Sequence, residues 1–162
     1  ASFEDQSDRF RFTGFEDVVG TAYGDTLIGT DMANTLMGGD GADVLTGGGQ
    51  GDTLFGGKGA DHFVFSALSD SMGAEFDTIQ DFEKGSDLIT LFAIDSVLGG
   101  ADDAFHFIGT QAFSNTGPEV RYQLNTANGT TLIQVHMAGS ANADSQIVLN
   151  GLYDLTADSF VL

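Results

Sequence analysis

Five acidic or amide side chains recur at one spacing: Asp25, Asn34, Asp43, Asp52 and Asp61, each nine residues after the last. Each is followed two places later by an apolar residue, in order Leu27, Leu36, Leu45, Leu54 and Phe63. Glycine opens every unit, and 13 of the 23 glycines in the chain fall within these 45 residues. Carboxylates surrounded by glycine-freed backbone carbonyls form an all-oxygen donor set. Calcium takes six to eight oxygens and tolerates irregular geometry, whereas magnesium demands a stricter octahedron with retained waters. Zinc would call for several His or Cys at tetrahedral-site spacing, and no such set is present.

The element that must position these side chains follows from the period. From Gly20 the units read GTAYGDTLI, GTDMANTLM, GGDGADVLT, GGGQGDTLF and GGKGADHFV. Positions seven to nine make a very short strand whose middle residue points inward. Positions one to six then reverse the chain through dihedrals that favour glycine. Two units complete a coil of 18 residues, so units one, three and five share one edge and units two and four the other. RFTGFEDVV, from Arg11 to Val19, fits the register loosely as a degenerate first coil. A flexible linker would not hold an apolar residue in register through five units.

Composition limits the partners. The chain has 162 residues, 24 acidic against 5 basic, for a formal charge of −19. General electrostatics then disfavours nucleic acid, anionic membranes and polyanionic sugars. There is no cysteine, so no disulfide staples the fold. No run approaches a membrane span. No basic-then-apolar leader precedes the repeats, so Ala1 reads as a cut or processed end. With 41% hydrophobic residues and 14 phenylalanines, the whole chain is not of disordered composition. The histidines His62, His106 and His136 are isolated, and no HExxH, GxSxG or cysteine nucleophile occurs. The expectation is a non-catalytic module, with any active site of the parent protein upstream.

The units resemble the RTX (repeat-in-toxin) nonapeptide GGxGxDxUx, a calcium-binding β-roll signature. Phe63–Leu91, Phe105–Tyr122 and the ending IVLNGLYDLTADSFVL are similar to the C-terminal domain of serralysin-type metalloproteases. The resemblance implies an all-β fold, a parallel β-roll capped by an antiparallel, β-sandwich-like C-terminal part. The expected divisions are a linker at 1–10, the roll at 11–65 and the cap at 66–162. It also implies about three to four calcium ions. One would lie among Gly20, Ala22, Asp25, Gly39, Gly41 and Asp43. A second would use Gly38, Asp40, Asp43, Gly57, Gly59 and Asp61, with Asp43 bridging. On the other edge Gly29, Asp31 and Asn34 would face Gly48, Gln50 and Asp52. That site should be the weakest, because Asn34 loses a charge and Thr30 and Met32 replace glycines. Asp70 and Asp77, seven residues apart, would close a further site over Gly47, Gly49 and Asp52. Around Val135–Ile147 relatives often have an acidic loop, but His136, Ala138 and Ser140 stand here, so no ion is expected.

The remainder reads as antiparallel β. DTIQDF and DLITLFAI are short strands joined across Glu83–Gly85, and the chain from Glu119 to Met137 alternates around Asn128–Gly129 as a hairpin. Val120, Tyr122 and Leu124 are expected to face the core opposite Ile133 and Val135, with Leu132 covering a second face. The resemblance further implies a domain that folds on extracellular calcium after type I export from a bacterium, with the exporter and an upstream domain as partners. Asp158 to Leu162 resemble an acidic-then-apolar secretion terminus and equally suit a last core strand. A polysaccharide-binding module like those of alginate epimerases, or the end of a surface adhesin, are the rival readings.

Overall fold

The structure is a computed structural model, and it describes residues 9–11, 17–72, 75–91, 93–94, 104–114, 116–137 and 142–162. Its strands are β1 (Arg9–Arg11), β2 (Asp17–Val19), β3 (Thr26–Ile28), β4 (Thr35–Asp40), β5 (Val44–Thr46), β6 (Thr53–Lys58) and β7 (His62–Val64). They continue as β8 (Asp77–Ile79), β9 (Leu88–Thr90), β10 (His106–Phe107), β11 (Glu119–Asn125), β12 (Thr130–His136), β13 (Ser145–Asn150) and β14 (Phe160–Val161). Two short 3-10 turns, Leu68–Ser71 and Ala157–Ser159, complete the described elements.

The repeats coil as their parity requires. One sheet runs β1-β3-β5-β7-β9-β14 and the other β10-β11-β12-β13-β8-β6-β4-β2. From β2 to β7 the partners are parallel and 18 residues apart, so Leu27 stacks on Leu45 and Leu45 on Phe63. On the facing sheet Val18 stacks on Leu36 and Leu36 on Leu54. All five position-eight side chains of the repeats are fully buried between the sheets. The core is thus a single column of side chains on each sheet, and its narrowness leaves much of the stability to the turns. β2 bears out the degenerate first coil. β1 begins before the 10/11 boundary expected for the roll. Gly14 and Glu16 of that coil lie outside the described residues.

The roll also runs past residue 65, which corrects the reading of 66–162 as antiparallel. β8 pairs in parallel with β6, and β9 in parallel with β7. The strands DTI and LIT are therefore not partners of each other but enter opposite sheets. The physical reason lies in their leading aspartates. Asp77 and Asp87 precede apolar strands as the repeat aspartates do, and each caps the turn beneath. Antiparallel pairing is confined to β11-β12-β13, while β10, β13 and β14 each add a parallel neighbour.

The hairpin pairs Val120 with Val135 and Tyr122 with Ile133, and all four are buried. Asn125 pairs with Thr130, so a four-residue loop replaces a two-residue turn, with Gly129 at φ 70° closing on the Asn125 carbonyl. Leu124 is not a core residue: it is 46% exposed, opposite Thr131 near the loop. Leu132 is half-buried on the outer face. An aromatic layer closes the end of the roll, with Phe63 against Phe82, Phe82 edge-on to Tyr153, and Phe107 stacked on Tyr122 and touching Phe160. Phe160 is buried in β14, which pairs in parallel with β9, so residues 160–161 form a strand on the core.

Candidate metal centres

From Asp43 onward each repeat aspartate is held by the turn below it. One carboxylate oxygen accepts the backbone N–H of the equivalent residue one coil earlier: Asp43 from Asp25 at 2.7 Å, Asp52 from Asn34 at 2.7 Å, Asp61 from Asp43 at 2.8 Å. The series continues beyond the repeats, with Asp77 accepting from Asp52 at 2.7 Å and Asp87 from Asp61 at 3.0 Å. Two ladders result, Asp25–Asp43–Asp61–Asp87 on one edge and Asn34–Asp52–Asp77 on the other.

The second carboxylate oxygen is the unusual one. Asp25 Oδ1 and the Oδ2 atoms of Asp43, Asp52, Asp61 and Asp77 are buried with no hydrogen-bond partner among the described residues. Among the described residues no Lys or Arg forms an ion pair with them. The described ion pairs are Lys58 with Asp40, both exposed, and His136 with Asp144. Burial accordingly raises Asp43, Asp52 and Asp87 from 3.8 to about 6 and Asp77 to about 8, and raises Asp61 as well. Neighbouring carboxylates push the same way, Asp25 and Asp61 on Asp43, and Asp70 on both Asp52 and Asp77. Stacks of buried, unpaired anionic oxygens are costly unless a cation lies among them.

The turns themselves are shaped around glycine where they must be. Positions two and four of units three to five have positive φ: Gly39 114°, Gly41 133°, Gly48 107°, Gln50 68°, Gly57 97° and Gly59 140°. A Cβ on Gly59 would lie 1.5 Å from the Gly41 carbonyl oxygen, so backbone fills the space a side chain would need. Units one and two use threonine instead. Thr21 donates its N–H to Asp25 Oδ2 at 2.6 Å, and Thr30 donates to Asn34 Oδ1 at 2.7 Å.

These residues fit calcium. The donors are all oxygen, the buried carboxylates lack counter-charges, and the glycine turns bring carbonyls alongside them. Among the described residues no three His, Cys, Asp or Glu side chains converge, Asp52, Asp70 and Asp77 included, so backbone carbonyls would have to supply most of the ligands at each position. On the first edge Gly20, Ala22, Asp25, Gly39, Gly41 and Asp43 would hold one ion. The set Gly38, Asp40, Asp43, Gly57, Gly59 and Asp61 would hold the next. On the second edge Gly47, Gly49, Asp52, Asp70 and Asp77 would hold another. A bound calcium supplies positive charge and nothing further; the chain's own groups supply position and rigidity.

Asp70 and Asp77 both lie near Asp52. Asp77 lies at the head of β8 on Asp52, and Asp70 lies close enough to raise both their pKa values. Asp70 is also tied locally, one oxygen accepting the N–H groups of Ser66 and Ala67 at 2.7 and 3.0 Å. Ser71 donates to the Gln146 carbonyl at 2.5 Å and accepts the Asp77 N–H at 2.8 Å, fixing the loop against β13. Asp40 meets Lys58 through its side chain at 2.9 Å, leaving its carbonyl as the group of interest.

Two residues escaped the sequence reading. Asp87 caps Asp61 while also accepting the Glu83 N–H at 2.8 Å, and Asp81 accepts the Gly56 and Gly57 N–H groups at 2.9 and 3.0 Å. The signal for Asp87 was present: it precedes Leu88-Ile89 as each repeat aspartate precedes its strand. It follows Asp61 by 26 residues rather than 18, which hid it. His136 is fully buried 4.5 Å from the Phe113 ring, with Nδ1 3.0 Å from the Asn142 carbonyl. Ala138 and Ser140 of that loop lie outside the described residues.

Comparison with known proteins agrees with this architecture. Residues 3–162 match the family described as peptidase M10 serralysin C terminal. The solution structure of the AlgE6R3 subunit of the Azotobacter vinelandii mannuronan C5-epimerase is 26% identical, with a TM-score of 0.65 over 90% of this chain and 76% of that one. The AlgE6R2 subunit of the same epimerase is 25% identical, with a TM-score of 0.57 over 90% of this chain and 91% of that one. The coil of nonapeptides, the paired carboxylate ladders and the match across nearly the whole sequence lead to one assignment: the chain belongs to the serralysin C-terminal family of peptidase M10, as an RTX-type calcium-binding repeat module.

Proposed function

We propose that this module is a calcium-gated folding unit that closes the C-terminal end of a larger exported protein. The observation that carries the proposal is the set of five buried, unpartnered carboxylate oxygens at Asp25, Asp43, Asp52, Asp61 and Asp77. Without a cation, a chain of charge −19 with this much glycine must bury those carboxylates against both desolvation and backbone entropy. Where calcium is scarce the repeats stay open, a state suited to passage through a narrow type I exporter. Outside the cell, calcium near 10⁻³ M matches the affinity range of extracellular modules, about 10⁻⁴ to 10⁻³ M. Each ion then adds RT ln(1 + [Ca]/Kd), about 0.4 kcal/mol where Kd equals the calcium concentration and about 1.4 kcal/mol where it is tenfold lower, so several together shift the folding equilibrium.

Circular dichroism in EGTA and then in calcium tests the proposal. β-structure should appear on calcium addition, and a chain equally folded in both conditions would refute it. The likeness to epimerase R subunits supports a second reading, in which the module binds a polysaccharide. The described basic side chains are poorly placed for a polyanion: Lys58 pairs with Asp40, Lys84 reaches the Asp154 carbonyl, and Arg121 lies 4.4 Å over the Phe113 ring. Calorimetric titration with oligomannuronate separates the two, and micromolar binding would favour the glycan reading.

A further inference from the structure

The inter-turn position between residues 29–34 and 47–52 does not fit an ion as its counterparts do. Three observations distinguish it. The carboxylate of the lower turn is replaced by the uncharged Asn34, whose Oδ1 keeps the contacts to the Thr30 N–H at 2.7 Å and hydroxyl at 3.1 Å that Asp25 makes to Thr21. The Asp31 carbonyl, one of the oxygens the repeat pattern would aim at calcium, accepts a hydrogen bond from Gln50 Nε2 at 2.8 Å. Gln50 itself stands at φ 68°, the one non-glycine residue with positive φ among those described.

The third observation gives the second its weight. A side chain in the left-handed region is strained relative to glycine, because its Cβ crowds the following carbonyl oxygen. Position four is glycine in the two companion turns, Gly41 and Gly59. Gln50 accepts that strain and, in return, places an amide N–H donor on a carbonyl that glycine could not reach. On the opposite edge Gly41 brings no side chain to Ala22, and both flanking carboxylates, Asp25 Oδ1 and Asp43 Oδ2, stay unpartnered, whereas between the turns at 29–34 and 47–52 the one unpartnered carboxylate oxygen is Asp52 Oδ2. An N–H group pointing at a carbonyl is a partial positive charge where the other positions await a full one. Asn34 removes the negative charge that would have made this insufficient.

We propose that the Gln50 side-chain amide takes the place of an ion between these two turns, making a calcium-free staple in an otherwise calcium-dependent roll. The inference rests on the calcium reading above. The staple joins the turns leading into β4 and β6, whose strands form the longest parallel pair in the roll. It therefore gives that coil a contact that forms before calcium is present.

The test is a gain of binding. Calcium stoichiometry is measured by calorimetry on the full chain and on the double variant Asn34→Asp with Gln50→Gly, which restores the repeat pattern at both positions. The double variant should bind one more ion per chain than the parent; an unchanged stoichiometry would overturn the proposal. Should the variant fold poorly, crystals of the calcium-loaded parent collected at long wavelength give the same answer. Anomalous density should be missing between Asn34 and Asp52 and present between Asp25 and Asp43. Density at both positions would sink this inference alone. A parent that takes up no calcium would sink the wider reading and this one with it.

Discussion

Replacing Asp43 by asparagine should change stability in opposite directions depending on calcium. The substitution keeps an oxygen to accept the Asp25 N–H, now bonded at 2.7 Å, and removes one buried charge. In calcium, Asp43 would serve two ions, one shared with Asp25 and one with Asp61. At a hundredfold excess each contributes about 2.7 kcal/mol. If loss of the charge weakens each site about a hundredfold, about 0.4 kcal/mol per site survives, a loss near 4–5 kcal/mol for the pair. In EGTA the same charge is a liability. Asp43 is fully buried and its carboxyl is raised from 3.8 to about 6, so keeping it ionised in the fold at pH 7.5 costs about 3 kcal/mol. Asparagine relieves that cost. Urea midpoints in 10 mM calcium and midpoints of osmolyte-induced folding in EGTA, both at pH 7.5, read the two arms. The variant should be less stable in the first and more stable in the second. A shift of the same sign in both would refute the reasoning, because Asp43 would then be an ordinary structural residue.

The remaining predictions use the same ladders. Gly59→Ala should cost at least about 1–3 kcal/mol, because φ is 140° and the new Cβ would overlap the Gly41 carbonyl; Gly117→Ala, in open space, should stay within about 0.5 kcal/mol in the same urea unfolding experiment. Asp87→Ala removes the acceptor of both the Asp61 and Glu83 N–H groups and should cost about 2–4 kcal/mol by thermal or urea unfolding in calcium, although Asp87 lies outside the repeats. The pH dependence of the metal-free chain should be inverted relative to most acidic proteins. Asp43, Asp52, Asp87 and Asp77 have folded-state values of about 6, 6, 6 and 8 against 3.8 when exposed, so the folded form binds more protons between those limits. Its stability in EGTA should rise as pH falls from about 8 and level off near 4. Circular dichroism across that range checks this, and a β-signal that falls with acidification would contradict it.

Much of the roll was legible because its period is physical. An apolar residue every nine positions can alternate between two sheets only if the chain reverses twice per coil, and Leu27, Leu36, Leu45, Leu54 and Phe63 stack as that requires. The aspartates were legible for the same reason, since position six heads each strand. What the period could not carry was its own continuation. The insertion from Ser66 to Phe76 lengthens the step from Asp52 to Asp77 to 25 residues, and β8 and β9 then looked like a local antiparallel pair. Leu124 was misread because alternation alone does not reveal where a hairpin leaves the core. Asp81 carries no repeat signal at all; its role appears only when Gly56 and Gly57 present two adjacent N–H groups to it. The Gln50 contact was equally hidden, because a substitution at a glycine position reads as damage until its side chain is seen on the Asp31 carbonyl.

The central claim is that calcium, by neutralising the buried carboxylates, locks the ladder of N–H to carboxylate bonds. Amide hydrogen exchange at Asp25, Asn34, Asp43, Asp52 and Asp61 reports those bonds directly, since each N–H donates to the carboxylate one coil on. In calcium all five should exchange orders of magnitude more slowly than in EGTA. Asn34, beside the Gln50 staple, should retain the most protection when calcium is removed. Equal protection of the five amides with and without calcium would contradict the account.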